Sequence, residues 1–343
     1  MDAALTAGVE RDSGEKPAGT GALLLAVRRL KVHYQANSTW PWQKPHSVRA
    51  VDDVDFNLAQ GETLGIVGES GCGKSTLARA LAGLQPVTSG GISYQGQNIA
   101  RLDEKAWRPI RRDIQMVFQD PLASLDPRMS IGASIAEPLE ALYPELSRSE
   151  RESRVREMLE KVGLSAALYN RYPHEFSGGQ CQRVGIARAL IVRPKILICD
   201  EPVSALDVSV QAQIVNLLAD LQSEYGLSMI FIAHDLAVVR HISQRVLVMY
   251  LGKVMEQASR DTLFATPVHP YTRALLAAVP GAHSERSEPL MGEIPSPSNP
   301  PPGCVFVTRC PIADSHCSRH APVLTRSAHG GFSACHFTIQ GAH

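Results

Sequence analysis

The nine residues "GESGCGKST" at 68–76 constrain this chain more than any other stretch. Gly68, Gly73, Lys74 and Ser75 fit the spacing G-x-x-x-x-G-K-S/T. The apolar run "TLGIV" precedes them and a helical pattern, "STLARALAGL", follows. Strand, glycine-rich turn and helix in that order make a cradle for phosphate. The glycines let successive backbone N–H groups curl around the oxygens, and the helix N-terminus adds its dipole. Lys74 is placed to reach the β- and γ-phosphates, and the Ser75 hydroxyl to take a position on Mg²⁺. Glu69, Ser70, Gly71, Cys72 and Thr76 complete the expected nucleotide-binding loop.

A protein built on such a cradle needs a parallel sheet behind it, and the sequence supplies candidates. "ETLGIVG" (62–68), "KILICDE" (195–201), "SMIFIAH" (228–234) and "RVLVMYLG" (245–252) are short, apolar and rich in branched residues, as buried parallel strands are. Helical patterns such as "VQAQIVNLLADLQSEYG" (210–226) alternate with them. The layout is α/β. The second run ends in two carboxylates: Asp200 is the candidate for the Mg²⁺ shell, and Glu201 for polarising a water that attacks the γ-phosphate.

Composition narrows the class. Of 343 residues, 44% are hydrophobic and 20% charged, which describes a globular protein. The formal net charge is zero, so electrostatics gives no reason to expect nucleic acid as a partner. The longest apolar stretches, such as "GALLLAV" (21–27), fall short of the ~20 residues that span a bilayer. The first 22 residues lack the basic and apolar regions of a secretory signal and read as a polar, loosely ordered tail. A reducing cytosol is the expected setting, which disfavours stable disulfides. Pro-rich stretches at 39–45 and 293–303 read as a surface loop and as a linker or ordered turn run.

Between the two motifs lies "FSGGQCQRVGIARAL" (176–190). Here the chain resembles the ATP-binding subunits of ABC transporters. The signature run is Ser177, Gly178, Gly179 and Gln180, and other motifs follow the family's order. Tyr34 resembles the A-loop aromatic that stacks on adenine, Gln119 the Q-loop residue and third Mg²⁺ contact, Asp207 in "SALD" the D-loop, and His234 in "FIAHD" the switch histidine. The resemblance implies a P-loop NTPase fold of RecA-like type. An antiparallel β subdomain, a helical subdomain near 119–192 and a C-terminal extension over 266–343 go with it, and the nucleotide-binding domain occupies 23–265. It also implies a head-to-tail dimer in which each ATP lies between one chain's P-loop and the other's signature, with Glu201, His234 and Gln119 serving hydrolysis. The signature glycines open a helix, and bare N–H groups there form a second anion cradle. Cys181 stands where the family usually has a basic or polar residue, a departure that bears on ATP affinity across the dimer.

"SLDPRM" (124–129), "HPYTRALL" (269–276) and "IPSPSNPPPGCVF" (294–306) resemble the peptide- and nickel-importer branch. Within it the chain looks like the F-type ATPase of a dipeptide or oligopeptide importer. That implies a related D-type ATPase partner, two transmembrane permease subunits, an extracytoplasmic peptide-binding protein, and a peripheral position on the cytoplasmic face of the membrane. Nickel, glutathione and haem importers share these motifs. A soluble, non-transport ABC ATPase is the rival of another class; it lacks support in a second nucleotide domain, a coiled coil or a basic surface.

Of seven cysteines, Cys72, Cys181 and Cys199 read as small packed side chains. Cys304, Cys310, Cys317 and Cys335 lie in a loop-rich segment that has trouble ordering itself unaided. Spacing leaves three readings open: an iron–sulfur cluster, zinc, or four unligated thiols. The resemblance implies a 4Fe–4S cluster on these four, with His316, His320 and His336 as second-choice ligands.

Overall fold

The computed structural model describes residues 21–36, 46–278 and 292–337. Most of the predicted N-terminal tail and the Pro-rich loop at 39–45 lie outside them. The strands are β1 (Leu23–Ala36), β2 (His46–Ala59), β3 (Thr63–Val67), β4 (Ser89–Tyr94), β5 (Gln97–Asn98), β6 (Ile114–Val117), β7 (Ile196–Asp200), β8 (Ser228–Ile232), β9 (Arg245–Tyr250), β10 (Lys253–Ser259), β11 (Thr325–Arg326) and β12 (Phe332–Ser333). The helices are α1 (Lys74–Leu81), α2 (Glu104–Asp113), α3 (Ile131–Leu142), α4 (Arg148–Lys161), α5 (Gly178–Leu190), α6 (Val208–Tyr225), α7 (Leu236–Ile242), α8 (Arg260–Ala265), α9 (Pro270–Ala277) and α10 (Ser315–Arg319).

The four apolar runs become β3, β7, β8 and β9, adjacent in a sheet of order β11-β12-β10-β9-β3-β8-β7-β6. The pairs from β9 to β6 are parallel, and β10, β12 and β11 continue the sheet antiparallel. Their runs lack alternation because both faces are covered. Leu64, Ile66, Ile198, Ile230, Ile232 and Leu247 enter one core, whereas their neighbours Val67, Leu197, Cys199, Met229, Phe231 and Val248 enter another. The first core is closed by the antiparallel sheet β2-β1-β4-β5 with α1 and α2. The second is closed by α3 to α7 and reaches the C-terminal extension through Phe306. Parallel strands deliver their carboxyl ends to one edge of a sheet, where ligands bind in such folds. Val67, Asp200 and Ile232 end β3, β7 and β8 there.

Local signals explain the helix ends. Gly226 takes φ 61° to close α6, as a left-handed C-terminal glycine does. Ser147, Ser177 and Asp207 cap α4, α5 and α6 with side-chain oxygens. One buried ion pair, Arg245 with Glu62 at 2.9 Å, ties β9 to the turn before β3.

Candidate nucleotide-binding site

The turn from β3 into α1 is built for close approach. Gly71 and Gly73 take φ 77° and 105°. A Cβ on Gly73 would stand 1.9 Å from the carbonyl oxygen of Ala50, so no other residue fits. Lys74 is nearly buried and folds back over the loop, its Nζ donating to the carbonyl oxygens of Gly68 at 2.7 Å and Glu69 at 3.0 Å. An ammonium held by carbonyl dipoles at the mouth of a glycine cradle suits an incoming phosphate. Thr76 follows, and its hydroxyl lies 3.3 Å from that of Tyr34. Tyr34 is 36% exposed, so its ring is not a core residue and is open to a flat ligand.

Asp200 and Glu201 come to the same place from the end of β7. The Ser75 hydroxyl donates to Asp200 Oδ1 at 2.9 Å. Burial pushes the Asp200 carboxyl above the usual range; the Ser75 hydrogen bond opposes this, and the neighbouring Glu201 charge adds to it. A half-buried hydroxyl and a buried carboxylate beside a second carboxylate form an all-oxygen donor set that a hard divalent cation such as Mg²⁺ fits. Glu201 itself adopts φ 46°, unusual outside glycine. Its N–H donates to Ile232 O and the Ser204 hydroxyl donates to its carbonyl, so the strained turn is held from both sides. Its carboxylate accepts from Gln119 Nε2 at 3.0 Å, lies 3.8 Å from Lys74 Nζ and 3.9 Å from His234 Nδ1. Cradle, carboxylates, Gln119 and His234 are thus gathered, although 166 positions separate Gly68 from His234 in sequence. Gln119 sits on Glu201 and has no contact with Ser75 or Asp200 among its hydrogen bonds.

Ser177 to Gln180 open α5. Ser177 Oγ accepts from Gln180 N, and Gln180 Oε1 accepts from Ser177 N, a reciprocal capping box. Gly179 leaves no room for a side chain: a Cβ would lie 2.5 Å from Val210. Cys181, the departure from the usual pattern, is fully buried, and its thiol faces Pro173 O at 3.7 Å. It packs the helical core and takes no part in the exposed cap. Asp207 is the cap of α6, its carboxylate accepting from Val210 N and Ser209 Oγ.

A groove of about 960 Å³ opens between β6 and the helices α2, α3 and α5. Met116, Phe118, Pro121, Pro138, Gln182 and Arg188 line it.

The expectation of a 4Fe–4S cluster is corrected by the extension's structure. Cys304, Cys310, Cys317 and Cys335 come near one another and form no disulfide. Burial, with the neighbouring thiols adding to it, pushes Cys304 up to about 11 and raises Cys310 and Cys335 as well. Among the described residues no group of three or more His, Cys, Asp or Glu side chains is arranged to hold a metal ion. His316 stacks on His320 and meets His336 edge-on instead, with ring centroids 4.4 and 4.5 Å apart. The segment is ordered by other means: β12 pairs with β10, Cys304 N donates to Cys317 O, and Phe306 packs against Tyr250 and Tyr271. Sequence reasoning missed this packing because aromatic contacts made across distant segments carry no local periodicity.

Comparison with known proteins supplies the family. The family described as ABC transporter matches residues 51–204, and the oligopeptide/dipeptide transporter C-terminal region matches 255–317. The oligopeptide transport ATP-binding protein OppF of Escherichia coli is 58% identical over 312 residues, 89% of this chain and 93% of its own length. AppF of Bacillus subtilis, described in the same words, is 50% identical over 319 residues, 91% of this chain and 97% of its own. Among solved structures, the dimeric post-hydrolysis ATP-binding cassette MJ0796 bound to ADP and Pi superposes with a TM-score of 0.63 at 30% identity, covering 69% of this chain and 99% of its own. CbiO1 of Clostridium perfringens, part of an ABC transporter complex, gives 0.60 at 30% identity over 71% of this chain and 91% of its own.

Proposed function

This chain belongs to the ABC transporter family of ATP-binding subunits, and from that premise we propose that it powers peptide import as the F-type half of an ATPase pair. The gathering of Gln119, Lys74 and His234 around the Glu201 carboxylate carries this reading. The relatives' names favour oligopeptide cargo over the narrower dipeptide expectation.

Gly68 to Thr76 receive the triphosphate, with Lys74 keeping its seat on the loop carbonyls and turning its remaining donor to the β- and γ-oxygens. Tyr34 stacks on the base. Ser75 and Asp200 would hold Mg²⁺, which when bound neutralises charge on the β- and γ-phosphates. Glu201 takes a proton from water, whose oxygen bonds to the γ-phosphorus as the bond to the β–γ bridging oxygen breaks; ADP and phosphate leave. Gln119 aligns Glu201, and His234 donates to the transferring phosphoryl group. The signature N–H groups at the start of α5 cap the γ-phosphate of the partner's nucleotide, and Asp207 lies at the same seam. The partner is a related D-type ATPase. Both chains sit on the cytoplasmic face and meet two membrane permease subunits, whose loops enter the groove beside Gln119; an extracytoplasmic binding protein delivers the peptide. No helix among the described residues is long and apolar enough to cross a membrane, so translocation falls to the permeases.

Glu201→Gln tests the chemistry. ATP binding stays within about twofold of the parent, while turnover falls by a factor on the order of 10²–10⁴, the usual share of a general base. Unchanged turnover would put the base at another residue and overturn this assignment.

A further inference from the structure

Glu69, second residue of the cradle, is held from outside the loop. Its carboxylate takes a two-pronged bond from Arg309, Nη1 to Oε2 at 2.6 Å and Nη2 to Oε1 at 3.1 Å, across 240 positions of sequence. Its N–H donates to the Tyr271 hydroxyl at 3.0 Å. Both partners are firmly seated. The Arg309 side chain is 6% exposed, and Tyr271 is fully buried against Tyr250 and Phe306. Both partners lie outside the phosphate-binding loop, in the C-terminal extension.

Burying an ion pair is a poor way to gain stability, because desolvation consumes most of the attraction and apolar packing would serve as well. What a planar guanidinium fork supplies is direction. That direction passes to the catalytic side of the loop. The carbonyl oxygen of Glu69 accepts from Lys74 Nζ at 3.0 Å and from Cys72 N at 3.2 Å. Fixing Glu69 therefore fixes the seat of the lysine that meets the phosphates.

We propose that the C-terminal extension is a strap on the nucleotide cradle, in which Arg309 and Tyr271 are positioning residues that act through Glu69 on Lys74 and set the affinity for ATP. This rests on the ATP-site reading above and deepens it. The extension thereby gains a role at the nucleotide without touching it. Any partner that shifts the segment around Phe306 alters how tightly ATP is held.

The test titrates the full chain with a fluorescent ATP analogue and Mg²⁺. Arg309→Met weakens binding about tenfold, and Arg309→Lys, which keeps charge but loses the fork, recovers part of it. The double variant Glu69→Gln with Arg309→Met is no weaker than Arg309→Met alone, since coupled residues are not additive. Tyr271→Phe removes one hydroxyl from a packed ring and weakens binding about threefold; it carries the test if Arg309→Met does not fold. A merely structural role lowers the melting temperature and leaves the dissociation constant of the folded chain unchanged. Less than a twofold change in both Arg309→Lys and Tyr271→Phe overturns the proposal. Wild type and Lys74→Ala are run alongside. Failure of wild type to bind the analogue sinks the ATP reading itself, whereas tight wild-type binding with indifferent variants sinks only the strap.

Discussion

His269 shows how much one buried ring can decide. It is 1% exposed, its Nδ1 accepts from Tyr271 N to cap α9, and burial holds its pKa down to about 4. The folded ring resists protonation while the unfolded chain takes up a proton near 6.5. The unfolded state thus binds more protons between those values, and stability falls as pH drops from about 6.5 toward 4. The full effect is on the order of 3 kcal/mol. Glu256, which accepts from the N–H groups of Val268 and His269, has its carboxyl raised by burial and pulls in the opposite direction. The informative quantity is therefore a difference between chains. His269→Asn keeps a capping acceptor without the titration, so its melting temperature loses less than the parent's between pH 7 and pH 5. Equal losses would remove His269 as the source.

Among the elements, α5 separates capping from catalysis. Ser177→Ala removes the reciprocal cap and costs about 1 kcal/mol, roughly 2 °C in a protein of this size. Ser177→Asp preserves the cap, since Asp caps as well as Ser, but sets a negative charge where a phosphate is expected. Its melting temperature stays near the parent's while ATPase activity of the assembled transporter collapses. Activity that follows stability in both variants would make Ser177 a cap and nothing more. These elements also mark what a reader of the sequence can and cannot see. The cradle, β3, β7, β8, β9 and α6 are legible because glycine spacing, unbroken apolar runs and helical periodicity are local. The convergence of Gln119 and His234 on Glu201 is legible only through resemblance, since no local rule brings three loops together. The fork between Arg309 and Glu69 is legible by neither route, being a side-chain contact between remote segments. The four cysteines misled through the resemblance: their spacing left cluster, zinc and unligated thiols open, and among the described residues no group of side chains is arranged to hold a metal ion.

At the scale of the molecule, one cradle and one signature cap in a single chain leave each in need of a counterpart. MJ0796, the similar cassette, is a dimer with ADP and Pi. Chain carrying Glu201→Gln, given ATP and Mg²⁺, is expected to stay monomeric alone and to form a one-to-one particle with a D-type relative, measured by light scattering on a sizing column. A stable homodimer at micromolar concentration would refute the mixed pair. The main sheet adds a consequence in time. Arg309 follows Glu69 by 240 positions, and β12, which pairs with β10, is also downstream. At synthesis speeds of roughly 5–20 residues per second, that interval lasts on the order of 10–50 s. Throughout it Glu69 lacks its fork, and for most of it β3 also lacks β8 and β9, the strands it pairs with, so the cradle is expected to reach full nucleotide competence only after those strands and then the extension have been made.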